Sequence, residues 1–333
     1  MSTKGYQDSG ADIRYVLRQS GHNVITPQDE PFPLLDEGWC FPDTERGILS
    51  AVQKGCTHLW ANTILFGNHP LQYCPSLDKH ASSLKVIGQP PLLVDEYDYK
   101  NFVNSLLRKD GRFRLPGTRV LDCSDPSCVF GLDYPIVAKP IRGRGSHGVK
   151  VCHNEATLCT HIEGLLKESP LVMVEEFLAG EEGTVTVMPP SAEKPHYWFL
   201  PIVVRFNHHD GIAPYNGVVA VTQNSRVPSD SELSSDPAYA EICHQCTQVA
   251  ELLRVTAPLR VDVRRVSEKA GAEFAMFDIN MKPNMTGPGR PGREDQASLT
   301  ALAAEGLGWS YPQLLRQILD SAKTLEHLRG VYL

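Results

Sequence analysis

Hydrophobic and polar residues alternate along two neighbouring segments of the chain, LRVDVRRV (259–266) and FAMFDIN (274–280). Alternation with period two on both sides of a polar turn is typical of paired strands, so these segments predict an antiparallel hairpin. Side chains two positions apart share one face of a strand. The polar residues that share faces in this way are Arg260, Asp262, Arg264, Asp278 and Asn280. Two carboxylates and an amide oxygen are therefore expected to converge on one side of the hairpin.

This convergence has two interpretations. Asp262, Asp278 and Asn280 offer the hard oxygen ligands that Mg²⁺ prefers, with further positions left for water and nucleotide phosphates. The alternative is a solvated strand face carrying Arg–Asp pairs, which is ordinary on antiparallel sheets. The rest of the chain decides between them.

Helical and strand patterns alternate through the first 90 residues. The successive segments are a helix at 11–20, a strand at 23–26 (NVIT), a helix at 41–55 capped by Asp43 or Thr44, and a strand at 57–67. Such alternation predicts a small parallel α/β layer.

Strands and helices continue to alternate after residue 84. The predicted strands are 84–87, 135–140, 149–152, 171–180, 184–188, 197–206 and 217–222. After a proline break at 90–91, a helix is predicted whose first turn holds Asp98 and Lys100, and the later predicted helices are 154–167, 238–253, 295–306 and 311–328. The helix at 238–253 contains Cys243 and Cys246, a single CxxC with no second pair at zinc spacing. We interpret these two cysteines as helix residues.

The segment YPIVAKPIRGRGSHGVKVC (134–152) predicts a strand, a glycine-rich loop and a returning strand. The loop contains Gly143, Gly145 and Gly148, surrounded by Arg142, Arg144 and Lys150. Glycines let backbone N–H groups approach an anion closely, and basic side chains favour phosphate. Because the loop returns into a strand, it is expected to cover phosphates as a flap.

A further segment, LVMVEEFLAG (171–180), changes from an apolar run to Glu175 and Glu176 and then to Phe177 and Leu178. This mixture is typical of a connection between two domains that offers an adenine ring both polar and apolar contacts. Glu182 lies just beyond it.

The composition describes an ordinary globular protein, with 41% hydrophobic and 21% charged residues among 333. A net charge of −7 gives no general attraction to nucleic acid or anionic lipid. No apolar run approaches the length of a membrane span, and the first residues lack the apolar core of a signal peptide. Cytoplasm is the predicted compartment.

Taken in order, these segments resemble an ATP-grasp enzyme, and within that superfamily most closely the D-alanine–D-alanine ligase group. The motifs VAKP, RGRGSHGV, VEEFLAGEE, LRVDV and FDIN carry the resemblance over about residues 96–320. It implies a mixed α+β and α/β protein with the ATP-grasp fold, which holds the nucleotide between two α+β subdomains. The implied division is a small parallel α/β N-terminal domain at 1–94, a central ATP-grasp subdomain at 95–178 and a C-terminal subdomain with the metal site at 179–333.

The resemblance also implies a role for each residue that matches its motifs. The expected catalytic residues are Arg260, Lys139, Ser146 and Tyr215. Nucleotide contacts are implied for Lys100, Lys139, Gly145, Ser146, Glu175, Glu176, Phe177, Leu178, Glu182 and Phe277, and metal binding for Asp262, Asp278 and Asn280. Ser146 has the alternative of being ordinary flap surface.

The implied activity is that of an ATP-dependent carboxylate–amine ligase, which forms a dipeptide or amide through an acyl phosphate and releases ADP and phosphate. ATP and two Mg²⁺ ions are the expected cofactors, with Mn²⁺ as an alternative. The expected partners are a small-molecule carboxylate and amine, amino acids in particular, with neither nucleic acid nor membrane. The dimers of the family suggest a homodimer.

Both substrate pockets depart from the family pattern. The N-terminal region lacks the glycine-rich first turn of the family, and GPGRPGREDQA replaces a short turn between Thr286 and Ser298. We expect Arg290 and Arg293 in this insertion to hold the carboxylate of the acceptor. Further substrate contacts are expected from Asn284 and from His209 in the long polar loop 206–219, which also contains Tyr215. The alternative is that these loop residues are simply solvated.

Two other functions are compatible with the same motifs. One is an ATP-grasp enzyme with a thiol, hydroxyl or phosphoryl-acceptor substrate, and the other is a non-catalytic ATP-binding regulator. The presence of Arg260, Asp262, Asp278 and Asn280 argues against the second, because a site that has lost its chemistry has no need of metal ligands.

Overall fold

The computed structural model describes residues 4–122, 131–143, 145–213 and 220–332. Its strands form three sheets, and each sheet is covered by helices. Helices α1 (Lys4–Gln19), α2 (Glu45–Gln53), α3 (Pro70–Tyr73), α4 (Pro91–Tyr97) and α5 (Lys100–Asp110) come from the first third of the chain. The side-chain oxygen of Thr44 accepts a hydrogen bond from the N–H of Gly47 and so caps α2.

The first sheet has three short strands. They are β1 (His58–Trp60), β2 (Lys85–Ile87) and β13 (Lys323–Thr324), with β1 and β2 parallel and β13 antiparallel to β2. The parallel pair confirms the predicted α/β layer. The third strand comes from the end of the chain, and α11 (Leu325–Gly330) packs beside it.

The second sheet is antiparallel and has the strand order β3-β6-β4-β5. Its elements are β3 (Thr118–Asp122), β4 (Ile136–Pro140), β5 (Lys150–Cys152), β6 (Leu171–Glu176) and helix α6 (Glu155–Leu165). Strands β4 and β5 are the two strands predicted around the glycine-rich loop.

The third sheet has the order β10-β9-β7-β11-β12, with β8 also paired to β7. Its strands are β7 (Glu182–Met188), β8 (Trp198–Phe199), β9 (Val203–Arg205), β10 (Ser225–Arg226), β11 (Leu259–Arg265) and β12 (Phe274–Asn280). The helices of this part are α7 (Asp230–Ser235), α8 (Pro237–Leu252), α9 (Leu299–Glu305) and α10 (Tyr311–Asp320). Strands β11 and β12 are antiparallel, which confirms the predicted hairpin.

The hairpin has one apolar and one polar face, as its alternation requires. Val261 and Val263 are fully buried and belong to the same core cluster as Cys246 and Val249 of α8. At about 25 cal/mol per Å² of buried apolar surface, this packing stabilises the sheet and holds the polar face toward the second sheet.

Two secondary-structure predictions are wrong, and a third is wrong in its described part. Residues 23–26 form no strand, and the side chain of Arg18 instead binds the carbonyl of Val24 and the hydroxyl of Thr26. Part of 217–222 lies outside the described residues, and Val221–Gln223 forms a 3₁₀ turn with local hydrogen bonds. The helix predicted at 311–328 is interrupted because Lys323–Thr324 pairs with β2.

Candidate active site

A cavity of about 1070 Å³ lies between the second and third sheets. Its walls include side chains from β4, β6, β7, β11 and β12, together with the flap loop and the N-terminal helix α1. Lys139, Glu175, Arg260 and Asp278 all line it although they come from distant parts of the sequence. This cavity therefore contains the predicted phosphate, adenine and metal residues.

The register of the hairpin sets the spacing of the predicted metal ligands. Asp262 lies directly opposite Asp278, and Arg260 lies opposite Asn280. Residues that face each other across an antiparallel pair have Cβ atoms about 4.5–5.5 Å apart, so their side chains meet. The two carboxylates and the amide oxygen of Asn280 converge as predicted.

Each of the two carboxylates is paired with a cation. Arg260 donates from Nε and Nη2 to the two oxygens of Asp262, both at 2.9 Å, and Thr184 donates its hydroxyl at 2.7 Å. Lys100 at the start of α5 reaches across the cavity to Asp278. The negative charge of the hairpin is therefore neutralised by the protein itself.

These ion pairs change the acidities of the groups that form them. Burial alone would raise the pKa of Asp278, but the charges of Lys100 and Lys139 hold that pKa below its ordinary value. Burial would lower the pKa of Lys100, and the facing Asp278 raises it instead. Both groups are consequently ionised at neutral pH.

Lys139 joins the second sheet to the third. Its ammonium is 2.6 Å from the carboxylate of Glu175 on β6 and donates to the carbonyl of Phe277 on β12 at 3.0 Å. Lys139 and Glu175 are both buried, and Glu175 also accepts from the amide of Asn104 at 3.3 Å. Lys139 therefore links β6, which carries Glu175, to β12, which carries Phe277.

The donor set of the hairpin suits a hard cation. Asp262, Asp278 and Asn280 provide oxygen atoms only, and two of the three carry a negative charge that Arg260 and Lys100 already balance. Within the described ranges, no group of three or more His, Cys, Asp or Glu residues is placed to hold a metal ion. A cation here would therefore need oxygen atoms from a ligand or water as well, which is how Mg²⁺ is commonly bound.

The glycine-rich flap turns back on itself between β4 and β5. Gly143, Gly145, Ser146 and Gly148 all have positive φ, of 146°, 66°, 58° and 70°. For Ser146 this left-handed conformation is uncommon, and such strain is concentrated at functional sites. Gly143, Gly145 and Ser146 line the cavity with Lys139, so the flap lies where phosphates are expected. Arg144 lies outside the described residues.

The adenine end of the cavity is formed by the segment after β6. Phe177 and Leu178 line the cavity, and the guanidinium of Arg264 lies 4.9 Å from the centre of the Phe177 ring. Arg264 also donates to the carbonyls of Gly180 and Gly211, at 3.0 and 2.6 Å. The predicted hinge is thereby fixed to the third sheet.

Two other predicted nucleotide residues have partners in the protein. Glu182 is buried and is bound by His208 at 2.9 Å and Arg205 at 3.4 Å. Glu176 is exposed and accepts the N–H of Gly117 at 3.4 Å. Both residues line the same cavity.

The predicted substrate residues do not all reach the cavity. Arg290 is 1% exposed, and its donors bind Asp12, Asp8 and the carbonyls of Pro33 and Leu35. A guanidinium with these internal partners is structural, which corrects the expectation that it grips a substrate carboxylate. Arg293 does line the cavity, although Asp12 occupies two of its donor atoms.

Of the other predicted substrate residues, Asn284, His209 and Tyr215, one lines the described part of the cavity wall. Asn284 lines the cavity, and its side-chain oxygen accepts the N–H of Thr286 at 3.0 Å. His209 is absent from the described cavity wall, and its side chain is 86% exposed beside Asp210, so the expectation of a substrate contact is not supported. Tyr215 lies outside the described residues.

Sequence reasoning missed the contribution of α1. Asp8 and Asp12 are four residues apart and therefore share one side of this helix, and Asp8 lines the cavity with Tyr6 and Ser9. Two carboxylates at this spacing beside the apolar Ile13 and Val16 were the available signal. The partners of Asp12, which lie about 280 residues away, gave no local sign.

The CxxC segment has the structural role that its helical pattern predicts. Cys243 and Cys246 are buried in α8, and burial raises the pKa of Cys243 to about 12. Neither thiol is a reactive group at neutral pH. Among the described helices, none is long and apolar enough to cross a membrane.

Comparison with known proteins matches the part of the chain that carries this site to a protein family. The model of the family described as D-ala D-ala ligase C-terminus matches residues 123–320. The D-alanine–D-alanine ligase of Syntrophotalea carbinolica is 27% identical over 212 residues, which is 62% of this chain and 60% of that relative. D-alanine–D-alanine ligase A of Bacillus cereus is 27% identical over 202 residues, 60% of this chain and 58% of that relative. The matched region thus spans about 60% of the length of these relatives.

Solved structures extend the likeness to the fold as a whole. The D-alanine–D-alanine ligase from Bacillus anthracis has a TM-score of 0.62 at 18% identity, covering 99% of this chain and 95% of that one. The same enzyme complexed with ATP has a TM-score of 0.58 at 19% identity, covering 86% and 84%. The predicted ATP-grasp fold is confirmed.

Proposed function

Because the chain belongs to the D-ala D-ala ligase C-terminus family, we propose that it is an ATP-dependent carboxylate–amine ligase. It would activate a carboxylate as an acyl phosphate, join it to an amine as a dipeptide or amide, and release ADP and phosphate. The observation that carries the proposal is the meeting of Lys100, Arg260 and the carboxylates of β11 and β12 in one cavity under a glycine-rich flap.

Phosphoryl transfer depends mainly on positioning and on stabilising negative charge. Lys100 and Lys139 line the cavity on the side of the flap and would bind the phosphates. Arg260 projects from the same face of β11 as Asp262, and would hold the reacting carboxylate and then the tetrahedral oxyanion through paired N–H donors. Ser146, in the strained part of the flap, would add a hydroxyl to the phosphates.

The nucleotide would lie along the rest of the cavity. Phe177 and Leu178 would contact the adenine ring, with Glu175 and Glu176 near its amino group. Glu182 would bind the ribose, where His208 and Arg205 fix its carboxylate, and the ring of Phe277 would cover the base from β12.

Two Mg²⁺ ions would be held by Asp262, Asp278 and Asn280. Mn²⁺ could take the place of Mg²⁺. When bound, these cations neutralise the terminal phosphates and orient them. The protein's own part is to keep the ligands rigid: Thr184 donates to Asp262, and the N–H of Lys282 donates to Asn280 at 3.0 Å.

We propose small amino acids as the substrates. We also propose that the chain divides into domains at residues 94 and 178, that the protein is cytoplasmic and that it forms a homodimer. The relatives and the solved structures are named as D-alanine–D-alanine ligases, which supports an amino acid on both sides of the new bond.

We expect ATP to be cleaved to ADP and phosphate, because Lys100, Lys139 and the cations held by the hairpin carboxylates would surround the terminal phosphates. Chromatography of the nucleotides after incubation with ATP, Mg²⁺ and pairs of amino acids measures this directly. Stoichiometric AMP would contradict the acyl-phosphate route. Absence of turnover with every pair, despite tight ATP binding, would favour a non-catalytic ATP-binding protein.

We expect metal and nucleotide to bind cooperatively, because Lys100 must leave Asp278 before a cation can approach it. Without nucleotide, Mn²⁺ should bind weakly, and an ATP analogue that takes over Lys100 should strengthen Mn²⁺ binding by roughly 10-fold or more. Electron paramagnetic resonance of free Mn²⁺ gives both affinities. Lys100→Gln should improve Mn²⁺ binding without nucleotide while weakening ATP binding, and a variant that weakens both would contradict the competition.

A further inference from the structure

Three large apolar side chains are exposed on the loop that joins α1 to α2. They are Phe32, Leu34 and Leu35, which are 58%, 59% and 51% exposed. The loop turns here, because the N–H of Leu35 binds the carbonyl of Phe32 at 3.1 Å. Single exposed apolar residues are ordinary, whereas a group of them marks a binding surface. We call these three residues the apolar patch.

The backbone that carries the apolar patch is fixed by two buried side chains. Trp39 is 1% exposed, and its Nε1 donates to the carbonyls of Phe32 and Leu35 at 3.3 and 3.1 Å. Arg290 is equally buried and donates from Nη1 to the carbonyls of Pro33 and Leu35 at 3.3 and 3.0 Å. A surface that is held from the interior in this way needs little ordering when it binds a ligand.

The apolar patch lies beside the part of the cavity wall that the insertion forms. A side chain added at Gly292 would come within 3.5 Å of Cδ2 of Leu34, and the next residue, Arg293, lines the cavity. Arg290 makes a second connection, because the guanidinium that binds the loop also donates from Nη2 to Asp8 of the cavity wall at 2.8 Å. A ligand whose reacting end lies in the cavity can therefore extend over the apolar patch.

The insertion has few donors left for a carboxylate of the acceptor. Arg290 is used inside the protein, and Arg293 gives Nε and Nη2 to Asp12 at 2.9 and 3.0 Å. The remaining Nη1 of Arg293 is 3.6 Å from Asp8. Selection of the acceptor by another of its features is therefore favoured.

The charge of the loop also restricts what binds there. Residues 27–40 contain four carboxylates and neither lysine nor arginine, and Lys54 at the end of α2 pairs with one of the four, Asp29, at 3.5 Å. A second copy of the chain packed on the apolar patch through a two-fold axis would bring these like charges together, which is unfavourable. A ligand with an ammonium group and an apolar body is instead attracted by the carboxylates and fits the apolar patch.

We propose that the apolar patch binds the side chain of the acceptor, so that the acceptor is an amino acid with a large apolar side chain, of the size of leucine or phenylalanine. This inference rests on the proposed ligase function and changes only the size of the acceptor. The neutral amino nitrogen forms the bond to the acyl carbon, and the phosphate leaves with the proton from that nitrogen. The side chain takes no part in these steps, and Phe32, Leu34 and Leu35 act as specificity-determining residues.

The test compares acceptors that differ only in the side chain. With D-alanine as the activated acid, mass spectrometry of the dipeptides gives kcat/KM for alanine, leucine and phenylalanine of both hands as acceptors. We expect the wild type to prefer leucine or phenylalanine to alanine by about 10-fold or more, because one methylene in an apolar pocket changes kcat/KM by about 10–200-fold. Leu34→Ser should lower the leucine-to-alanine ratio by about 10-fold, and Leu34→Met should retain most of it because methionine has a similar volume.

Leu307→Ser is the matched control, because Leu307 is 43% exposed beyond α9 and is absent from the described cavity wall. Its leucine-to-alanine ratio should equal that of the wild type. Thermal unfolding of Leu34→Ser should also match the wild type, since the side chain is exposed and the carbonyls that hold the loop are kept.

Binding measurements separate this inference from the proposed function. Calorimetry with leucine and with alanine, in the presence of ADP and Mg²⁺, reports on the apolar patch even if the wild type releases no ADP with any pair, a result that would overturn only the ligase function. Tighter binding of leucine than of alanine that is lost in Leu34→Ser supports the inference. A wild type that binds and uses alanine as well as leucine overturns it. An unchanged ratio in Leu34→Ser overturns it too, and a change from dimer to monomer in that variant would then assign the apolar patch to a second copy of the chain.

Discussion

Asp278→Asn should lower kcat by at least about 100-fold and leave the protein folded. Even residues that only hydrogen-bond to a metal ligand change affinity or activity by about 10–100-fold, so removing the negative charge and one oxygen of a ligand should cost at least as much. The fold should persist because the side chain of Asp278 is 31% exposed. In addition, Lys100 would still be attracted by the nearby carboxylates of Glu175 and Asp98. Steady-state ADP release and thermal unfolding without nucleotide measure the two effects.

Glu273→Gln provides the control for that experiment, because Glu273 lies next to the start of β12 and its exposed side chain forms a surface ion pair with Arg114. Exposed ion pairs contribute about 0–1 kcal/mol, so its activity and stability should be close to those of the wild type. If Asp278→Asn instead lost much of its melting temperature and kept its turnover, the hairpin carboxylates would be a structural ion-pair network.

Arg290→Ala should reduce the free energy of unfolding by about 3–5 kcal/mol, the usual cost of removing one partner of a buried ion pair. Arg290 is 1% exposed and binds two carboxylates and two backbone carbonyls, so its removal leaves Asp12 and those carbonyls short of donors. A typical domain is stable by only about 5–15 kcal/mol, so the variant should unfold at a much lower urea concentration.

Arg293→Ala is the matched comparison, because Arg293 binds the same Asp12 but is 23% exposed. It should lose less stability than Arg290→Ala, since water can replace part of its contacts. The structural role would be contradicted if Arg290→Ala unfolded at the same urea concentration as the wild type and had a raised KM for the acceptor. Arg290 would then bind the substrate, as its place in the insertion suggests.

Local patterns were sufficient where the chemistry lies on consecutive or alternating residues. Period-two alternation predicted the β11–β12 hairpin and the common face of Asp262 and Asp278, because strand geometry alone determines both. The glycines of the flap predicted a loop between two strands, which the pairing of β4 with β5 confirms, and the structure adds that Gly143, Gly145 and Gly148 have positive φ. Apolar periodicity likewise located α8 and its buried cysteines.

Short and irregular elements were less predictable. NVIT has the composition of a strand, but a strand forms only if a partner offers hydrogen bonds, and Arg18 binds this segment instead. Lys323–Thr324 resembled the continuation of a helix until β2 provided a partner for it. In both places the outcome depended on which segment lay nearby, and that information is not local.

The hairpin, the glycine-rich flap, the order of the motifs and hence the family could be predicted from the sequence, because each motif is a run of neighbouring residues whose pattern is local. Which charges meet depends on the assembled fold. Lys100 pairs with Asp278 across 178 positions, and Arg290 with Asp12 across 278. Opposite charges attract whatever their separation in the sequence, so the same arginine can bind a carboxylate of a substrate or a carboxylate on a helix. The burial of the arginine determines which of the two partners it binds, and burial is a property of the assembled sheets and helices.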